Sequence, residues 1–218
     1  MARQVRSQVT RRKLLDAAID VFSEVGPTAA ARIAITERAG MTKGALYYHF
    51  DSMESLLSAI IDEGSATVLN SFQAMCAPPS PALEGMIHGM FAVDDVLASD
   101  KHARVAEHLV FALSGFNDSA AAVYSRWLTE VAAQTKRAVV EGDVREDLNP
   151  DTVSESIVGA MFGTRLLPQE TPQGDLPGRL TRMWDLLLPA VATDTSLPYF
   201  REFLARETLR YQSSRIPG

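Results

Sequence analysis

Lys43, Tyr47 and His49 place an ammonium, a phenol and an imidazole on one short stretch, Lys43-Gly44-Ala45-Leu46-Tyr47-Tyr48-His49. Lys43 and Tyr47 are four residues apart, so on a helix they share a face. A cation and a hydroxyl arranged in this way suit a polyanion. The ammonium can reach a phosphate or the O6/N7 edge of a guanine. The phenol, and an imidazole even when uncharged, each donate a hydrogen bond to phosphate. Gly44 keeps this face low, so that a backbone can approach it closely. Thr42 is suited to cap the helix by accepting from an orphan backbone N–H. Leu46 and Phe50 share another face, which can pack inward, and Tyr48 is expected to pack against the first helix, with DNA contact as the alternative.

The elements that must hold these side chains can be read around them. Arg38-Ala39-Gly40-Met41 precedes the stretch, so a short helix (about 31–39), a glycine turn and a second short helix follow in sequence. That is a helix-turn-helix, whose second helix enters the DNA major groove. Before it, Leu14, Leu15, Ala18, Ile19 and Phe22 make an amphipathic first helix ending at Gly26-Pro27. Arg3, Arg6 and Arg11 at its start are expected to form a basic arm along the groove or backbone of DNA, an arm disordered without DNA being equally compatible. After it, Asp51-Ser52 offers an N-cap to a helix carrying Leu56, Leu57, Ile60, Ile61, Val68, Leu69 and Phe72. Pro78-Pro79-Ser80-Pro81 then breaks the chain. Further helices are expected at about 81–98, 102–115, 118–141, 150–167, 179–192 and 198–211, with Asn149-Pro150 as an N-cap and first-turn proline and a Pro/Gly-rich loop over 168–178. No strand alternation is found. The fold expected is all-α, with an N-terminal three-helix reading domain over residues 1–51 and a larger C-terminal helical domain over 52–218.

Composition narrows the function further. The 218 residues carry a net charge of −6, which disfavours nucleic acid until it is divided along the chain. Within residues 1–50, eight basic side chains stand against four acidic ones, a net +4, leaving −10 for the remainder. A basic end on an acidic body suits phosphate contact at that end only. One cysteine, Cys76, excludes an intramolecular disulfide and a Cys-based zinc cluster. His102 and His108 are six apart, not on one helical face, so no metal is expected, and no cofactor. No nucleophile–base pair or phosphate-cradling glycine loop stands out, so enzymatic chemistry has no residues to rest on. No apolar stretch reaches the ~18 residues of a membrane span, and no signal-peptide core follows Met1-Ala2-Arg3-Gln4. A cytoplasmic protein without a membrane partner is expected.

Gly26, Ile35, Arg38-Ala39-Gly40, Thr42-Lys43-Gly44-Ala45-Leu46-Tyr47, His49-Phe50 and Ser52-Met53-Glu54-Ser55-Leu56 together resemble the TetR family of bacterial repressors. The resemblance implies an all-helical homodimer that reads a near-palindromic operator in double-stranded DNA and binds a small hydrophobic ligand in its C-terminal domain. A narrower resemblance, to the γ-butyrolactone autoregulator receptors of actinomycetes, is carried by Met1–Arg6, Thr10-Arg11-Arg12, Trp127, Gly163-Thr164-Arg165, Arg179-Leu180 and Met183-Trp184. It implies that Trp127 lines a lactone pocket with Thr164 nearby. The sequence departs from the family at Pro27, Ala30, Arg32 and Met53. Arg32 stands at a usually apolar position, so Ile33 is a candidate to take over the buried face of the second helix. Met53 replaces a lysine near the phosphates.

Taken by itself, Trp127 sits among the small residues of Ala120–Ala133, where an indole can either pack or line a cavity. Apolar pockets with a few placed polar groups are the usual small-ligand design. The indole N–H of Trp127 and the hydroxyl of Thr164 are candidate donors to a lactone carbonyl. Phe91, Val110 and Phe162 are candidate walls, with core packing as the alternative for each, and Trp184 reads as core or interface. The function expected is a repressor released by a γ-butyrolactone or butenolide. Two alternatives remain: a regulator sensing another hydrophobic molecule, such as an antibiotic or intermediate, and a helical adaptor or enzyme with an unused reading head.

Overall fold

Residues 2–25 contain neither glycine nor proline, and in a computed structural model of the chain they form one helix, α1 (Ala2–Val25). The structure describes residues 2–26, 32–167 and 176–214, except for the side chains of residues 2, 3, 176 and 214. After α1 come α2 (Arg32–Ala39), α3 (Lys43–His49), α4 (Met53–Cys76), α5 (Ala82–Ser99), α6 (Lys101–Leu113), α7 (Asp118–Glu141), α8 (Pro150–Leu166), α9 (Leu176–Val191) and α10 (Leu197–Ser214). The fold is all-α, as the periodicity implied, with boundaries within three residues of those expected from α2 onward. The arm is the exception. With no helix breaker before Gly26, the basic segment joins α1 as its first turns. Pro27, Ala30 and most of the 168–178 loop lie outside the described residues.

The remaining boundaries follow local chemistry. Asp100 caps α6, accepting from the N–H groups of His102 (2.7 Å) and Ala103 (3.1 Å). Asn149 caps α8 in the same way from Asp151 and Thr152, with Pro150 in the first turn where its missing N–H costs nothing. Gly142 closes α7 at φ 83°, a left-handed cap that glycine adopts without steric cost.

By their contacts the described helices group into two compact units, residues 1–67 with 97–123 and residues 68–96 with 124–218. This partition passes within α4, α5 and α7, so it differs from a division of roles at residue 51. The first unit has a core of Leu14, Leu15, Ala18 and Phe22 from α1, Ile35 from α2, Leu46 from α3, Ile60 and Ile61 from α4, and Ala106 and Leu109 from α6, all buried. Each buried Leu, Ile or Phe among them stabilises the fold by roughly 1.5–3 kcal/mol, and each alanine by less. Gly64 lets α4 meet α6 closely. A Cβ there would lie 2.5 Å from Ala106 Cβ and 3.0 Å from the His102 carbonyl oxygen.

In the second unit, Phe72, Met86, Met90, Phe91, Trp127, Ile157, Leu180, Trp184, Phe200 and Leu204 are buried. Arg137 donates to the carbonyls of Cys76 (2.6 Å) and Ser80 (2.7 Å), satisfying acceptors that the end of α4 and the proline break would leave open. Burial pushes the Cys76 thiol up to about 12, so it stays a protonated packing group.

Candidate nucleic-acid interface

The turn before α3 is built by three residues. Gly40 takes φ 62°, donating its N–H to the Glu37 carbonyl (3.1 Å) while Met41 N–H reaches the Thr36 carbonyl (2.9 Å). This pair of bonds closes α2 and requires a left-handed residue between them. Thr42 is extended (φ −80°, ψ 156°), and its hydroxyl accepts from Ala45 N–H at 3.2 Å, the N-cap read from the sequence. At the other end, Ser52 Oγ accepts from Ser55 N–H at 3.0 Å and starts α4.

Leu46 and Phe50 are each 4% exposed and anchor α3 inward, so the opposite face is left to solvent. Lys43, Gly44 and Tyr47 are exposed beside these anchors, and His49 is half-buried. Two expectations are corrected here. Tyr48 is 73% exposed and does not pack on α1, because it sits two positions from both inward anchors and so points away from them. Its ring instead meets His49 edge-on at 5.0 Å. On α2, Ile33 is 67% exposed while Ile35 is fully buried and Thr36 nearly so. Ile35 keeps the buried face because Thr36 can join it at little cost, with its hydroxyl satisfied by the Ile33 carbonyl at 2.9 Å.

Apart from Arg104, which donates to the Leu97 and Ala98 carbonyls, the described Lys and Arg side chains of this unit divide into two groups. Arg11 and Arg12 each pair with Glu63 at 3.1 Å, tying α1 to α4, and the Arg11 guanidinium lies 5.1 Å from the centre of the Phe50 ring. Arg38 of α2 grips Glu24 of α1 through two bonds of 2.7 Å, which lowers the Glu24 carboxyl below its ordinary range. Lys101 of α6 pairs with Asp20 of α1. These four clamp the bundle. Arg6, Lys13, Arg32 and Lys43 have no carboxylate partner among the described residues and are exposed. Arg11, expected in the arm, therefore sits among the clamps, Arg6 stays free on the first turns of α1, and the Arg3 side chain lies outside the described residues.

A Cβ built on Gly44 meets nothing nearer than Thr42 Oγ1 at 3.8 Å. No neighbouring atom therefore requires a glycine here, and the surface beside it is open. Arg32, at first notable only as a departure, is the residue that sequence reasoning undervalued. It donates to Tyr47 Oη at 3.0 Å, and the signal for this was its pairing with Ile33, a charge and an apolar residue in exchanged order.

The candidate ligand residues fall in different places. Trp127 is 3% exposed and stands edge-on to Phe72 (5.0 Å) and Phe162 (6.4 Å), and Phe162 also meets Tyr124 at 4.7 Å. These four rings form one aromatic cluster in the second unit. Phe91 is fully buried and stacks on Tyr211 at 4.8 Å, so it packs in the core. Val110 is buried in the first unit. Thr164 Oγ1 donates to the Met161 carbonyl at 2.7 Å. Its proton is therefore spent within α8, and the hydroxyl as placed offers a ligand acceptor lone pairs only. Trp184 is fully buried. Among the described residues no three His, Cys, Asp or Glu side chains converge on a metal site, and no helix is long and apolar enough to cross a membrane.

Comparison with known proteins places both halves of the chain. Residues 14–60 match the family described as bacterial regulatory proteins, tetR family, and residues 80–192 match the tetracyclin repressor-like C-terminal domain. The A-factor receptor protein of Streptomyces griseus is 31% identical over 193 residues, covering 88% of this chain and 67% of that one. The regulator UidR of Escherichia coli is 28% identical over 167 residues, covering 73% and 82%. Among solved structures, a γ-butyrolactone receptor described as ArpA-like has a TM-score of 0.76 at 25% identity, with 94% of this chain and 99% of that one covered. CprB of Streptomyces coelicolor, solved with its operator sequence, has a TM-score of 0.72 at 26% identity, covering 94% and 99%. These relatives are regulators, not enzymes. On its matched halves and on its fold, this chain belongs to the TetR family of DNA-binding transcriptional regulators.

Proposed function

We propose that this protein is a homodimeric repressor, released from a near-palindromic operator by a γ-butyrolactone or butenolide signal. The observation that carries the ligand assignment is the aromatic cluster of Phe72, Tyr124, Trp127 and Phe162, in a chain similar to the A-factor receptor protein. An aromatic site with an indole suits a small lactone, whose apolar tail gains from burial and whose carbonyl needs a donor or two. Since the Thr164 proton is engaged, the indole N–H of Trp127 is the donor this reading relies on. The dimer is supported by α8 and α9, where Gly159 and Gly163 have open space beside them and Leu166 and Leu186 are 62% and 80% exposed. Each α3 would then read one half-site, with the separation set by the dimer.

Release requires only that the ligand favour the non-binding conformation. A hundredfold loss of operator occupancy corresponds to a coupling of about 2.7 kcal/mol, within the range of a buried small molecule. The test is a mobility shift on the DNA upstream of the gene, with and without a series of γ-butyrolactones and butenolides. At least one compound of the series is expected to dissolve the complex. Trp127→Phe, which keeps an aromatic ring but removes the N–H, is expected to bind DNA normally and to need at least tenfold more lactone. If saturating lactones leave the complex intact while another hydrophobic compound dissolves it, the lactone assignment is wrong and the regulator senses a different molecule.

A further inference from the structure

Tyr47 is flanked by two cations. The Arg32 guanidinium carbon lies 5.6 Å from the centre of its ring and the Lys43 Nζ 5.8 Å from the same centre. Neither cation has a carboxylate partner among the described residues, whereas Arg11, Arg12, Arg38 and Lys101 in the same unit all do. Two like charges gathered at one ring repel each other unless a counter-charge joins them, and nothing in the described chain supplies it. Arg32 also shares a narrow cleft with Tyr47, Ser52 and Met53, and it is the charged member of that cleft's lining. Met53 brings no charge to it.

The hydrogen bond fixes roles. Arg32 Nη1 donates to Tyr47 Oη at 3.0 Å, so the phenol oxygen is an acceptor there and its own proton is directed elsewhere. Four further guanidinium N–H groups remain, since a guanidinium carries five donors, and Tyr47 is its one hydrogen-bond partner among the described residues. A phosphate accepts such donors well, and planar guanidinium groups match its geometry.

We propose that Arg32 of α2 and Tyr47 of α3 together clamp one DNA phosphate. Arg32 supplies the charge and positions Tyr47, which donates its phenol proton. This deepens the DNA-binding reading and rests on it. Arg32 thereby brings to the site, from α2, the charge that Met53 does not bring from α4.

The test compares wild type, Arg32→Ala, Arg32→Lys, Tyr47→Phe and the Arg32→Ala/Tyr47→Phe double variant. The probes are the duplex that wild type enriches from a randomised pool and a scrambled duplex of the same composition, each across a salt series. Arg32 is exposed, and thermal melts check that every variant is folded. Arg32→Ala is expected to weaken binding to both duplexes by about tenfold and to lower the salt slope by about one unit, the mark of one lost phosphate contact. Tyr47→Phe is expected to weaken both without changing the slope. The double variant is expected to be little worse than Arg32→Ala alone, because the two residues act as a unit. Arg32→Lys is expected to retain the slope while recovering only part of the affinity.

An unchanged slope in Arg32→Ala, or effects that simply multiply in the double variant, overturns the clamp. So does a loss confined to the selected duplex, which marks a base contact instead. Wild type that prefers no sequence overturns the DNA-reading role of α3 itself, an outcome separate from failure of the clamp.

Discussion

Gly44 has no close neighbour that would require its smallness, and its place on α3 makes it a sharp probe of the proposed reading face. With 3.8 Å to its nearest neighbour, an added methyl strains nothing, and alanine is the better helix former by about 0.8–1.0 kcal/mol. Gly44→Ala is therefore expected to leave the thermal midpoint unchanged or raise it. Operator affinity is expected to fall at least tenfold, as measured by mobility shift, because the methyl stands where a DNA backbone would approach. An unchanged affinity would remove Gly44 from the interface. At this scale the sequence was readable wherever a side chain acts on its own backbone. Thr42 as a cap, Asn149 as a cap and the Leu46/Phe50 pair follow from spacing alone. Tyr48, Ile33 and Thr164 were not readable. Their placements depend on which of two neighbouring residues tertiary packing draws inward, or on whether a hydroxyl turns back to its own helix.

Among the elements, the α4–α6 crossing is where a single methyl matters most. Gly64 lies against Ala106 and the His102 carbonyl, and the modest fixed geometry of backbone and Cβ leaves neither able to retreat far. Gly64→Ala is expected to destabilise the protein by about 1–3 kcal/mol through overpacking, read as a lower urea midpoint at unchanged slope. Adding Ala106→Gly is expected to recover part of the loss. No local pattern announces this glycine, because its partner is 42 residues away and the helix around it is otherwise regular. The basic N-terminal segment illustrates the opposite difficulty. Its charges were plain, but its conformation turned on the absence of any breaker before Gly26, and Arg11 was drawn from the expected arm into a clamp by Glu63. Charge shows what a segment attracts. The neighbour that captures each charge is decided by the fold.

On the scale of the whole molecule, a protein of net charge −6 carries +4 within residues 1–50, the segment proposed here to meet DNA. Even that surplus is not all available, since Arg11, Arg12 and Arg38 are committed to carboxylates within the bundle. Among the described residues, the cations left for the proposed reading face are Arg6, Lys13, Arg32 and Lys43, whose contacts with phosphate salt would screen directly. Family and helical fold were legible from the start, because α3 and its caps are encoded within a dozen consecutive residues. The ligand site was less so. Trp127 and Phe162 do meet, but Phe91 packs on Tyr211 and Val110 belongs to the other compact unit, and nothing in helical periodicity separates a cavity wall from a core.

The shortness of α3 has a consequence in time. Seven residues are too few to hold a helix unaided, so α3 persists only through its Thr42 cap and the anchors Leu46 and Phe50. Opening it costs less than opening the 24-residue α1 or α4, and its amides should exchange with solvent hydrogen well before theirs in the free protein. Bound to its operator, α3 should become one of the slowest-exchanging segments of the first unit. Hydrogen–deuterium exchange over residues 43–50 would then report operator occupancy directly, and equal protection with and without DNA would show that this helix is not the one being held.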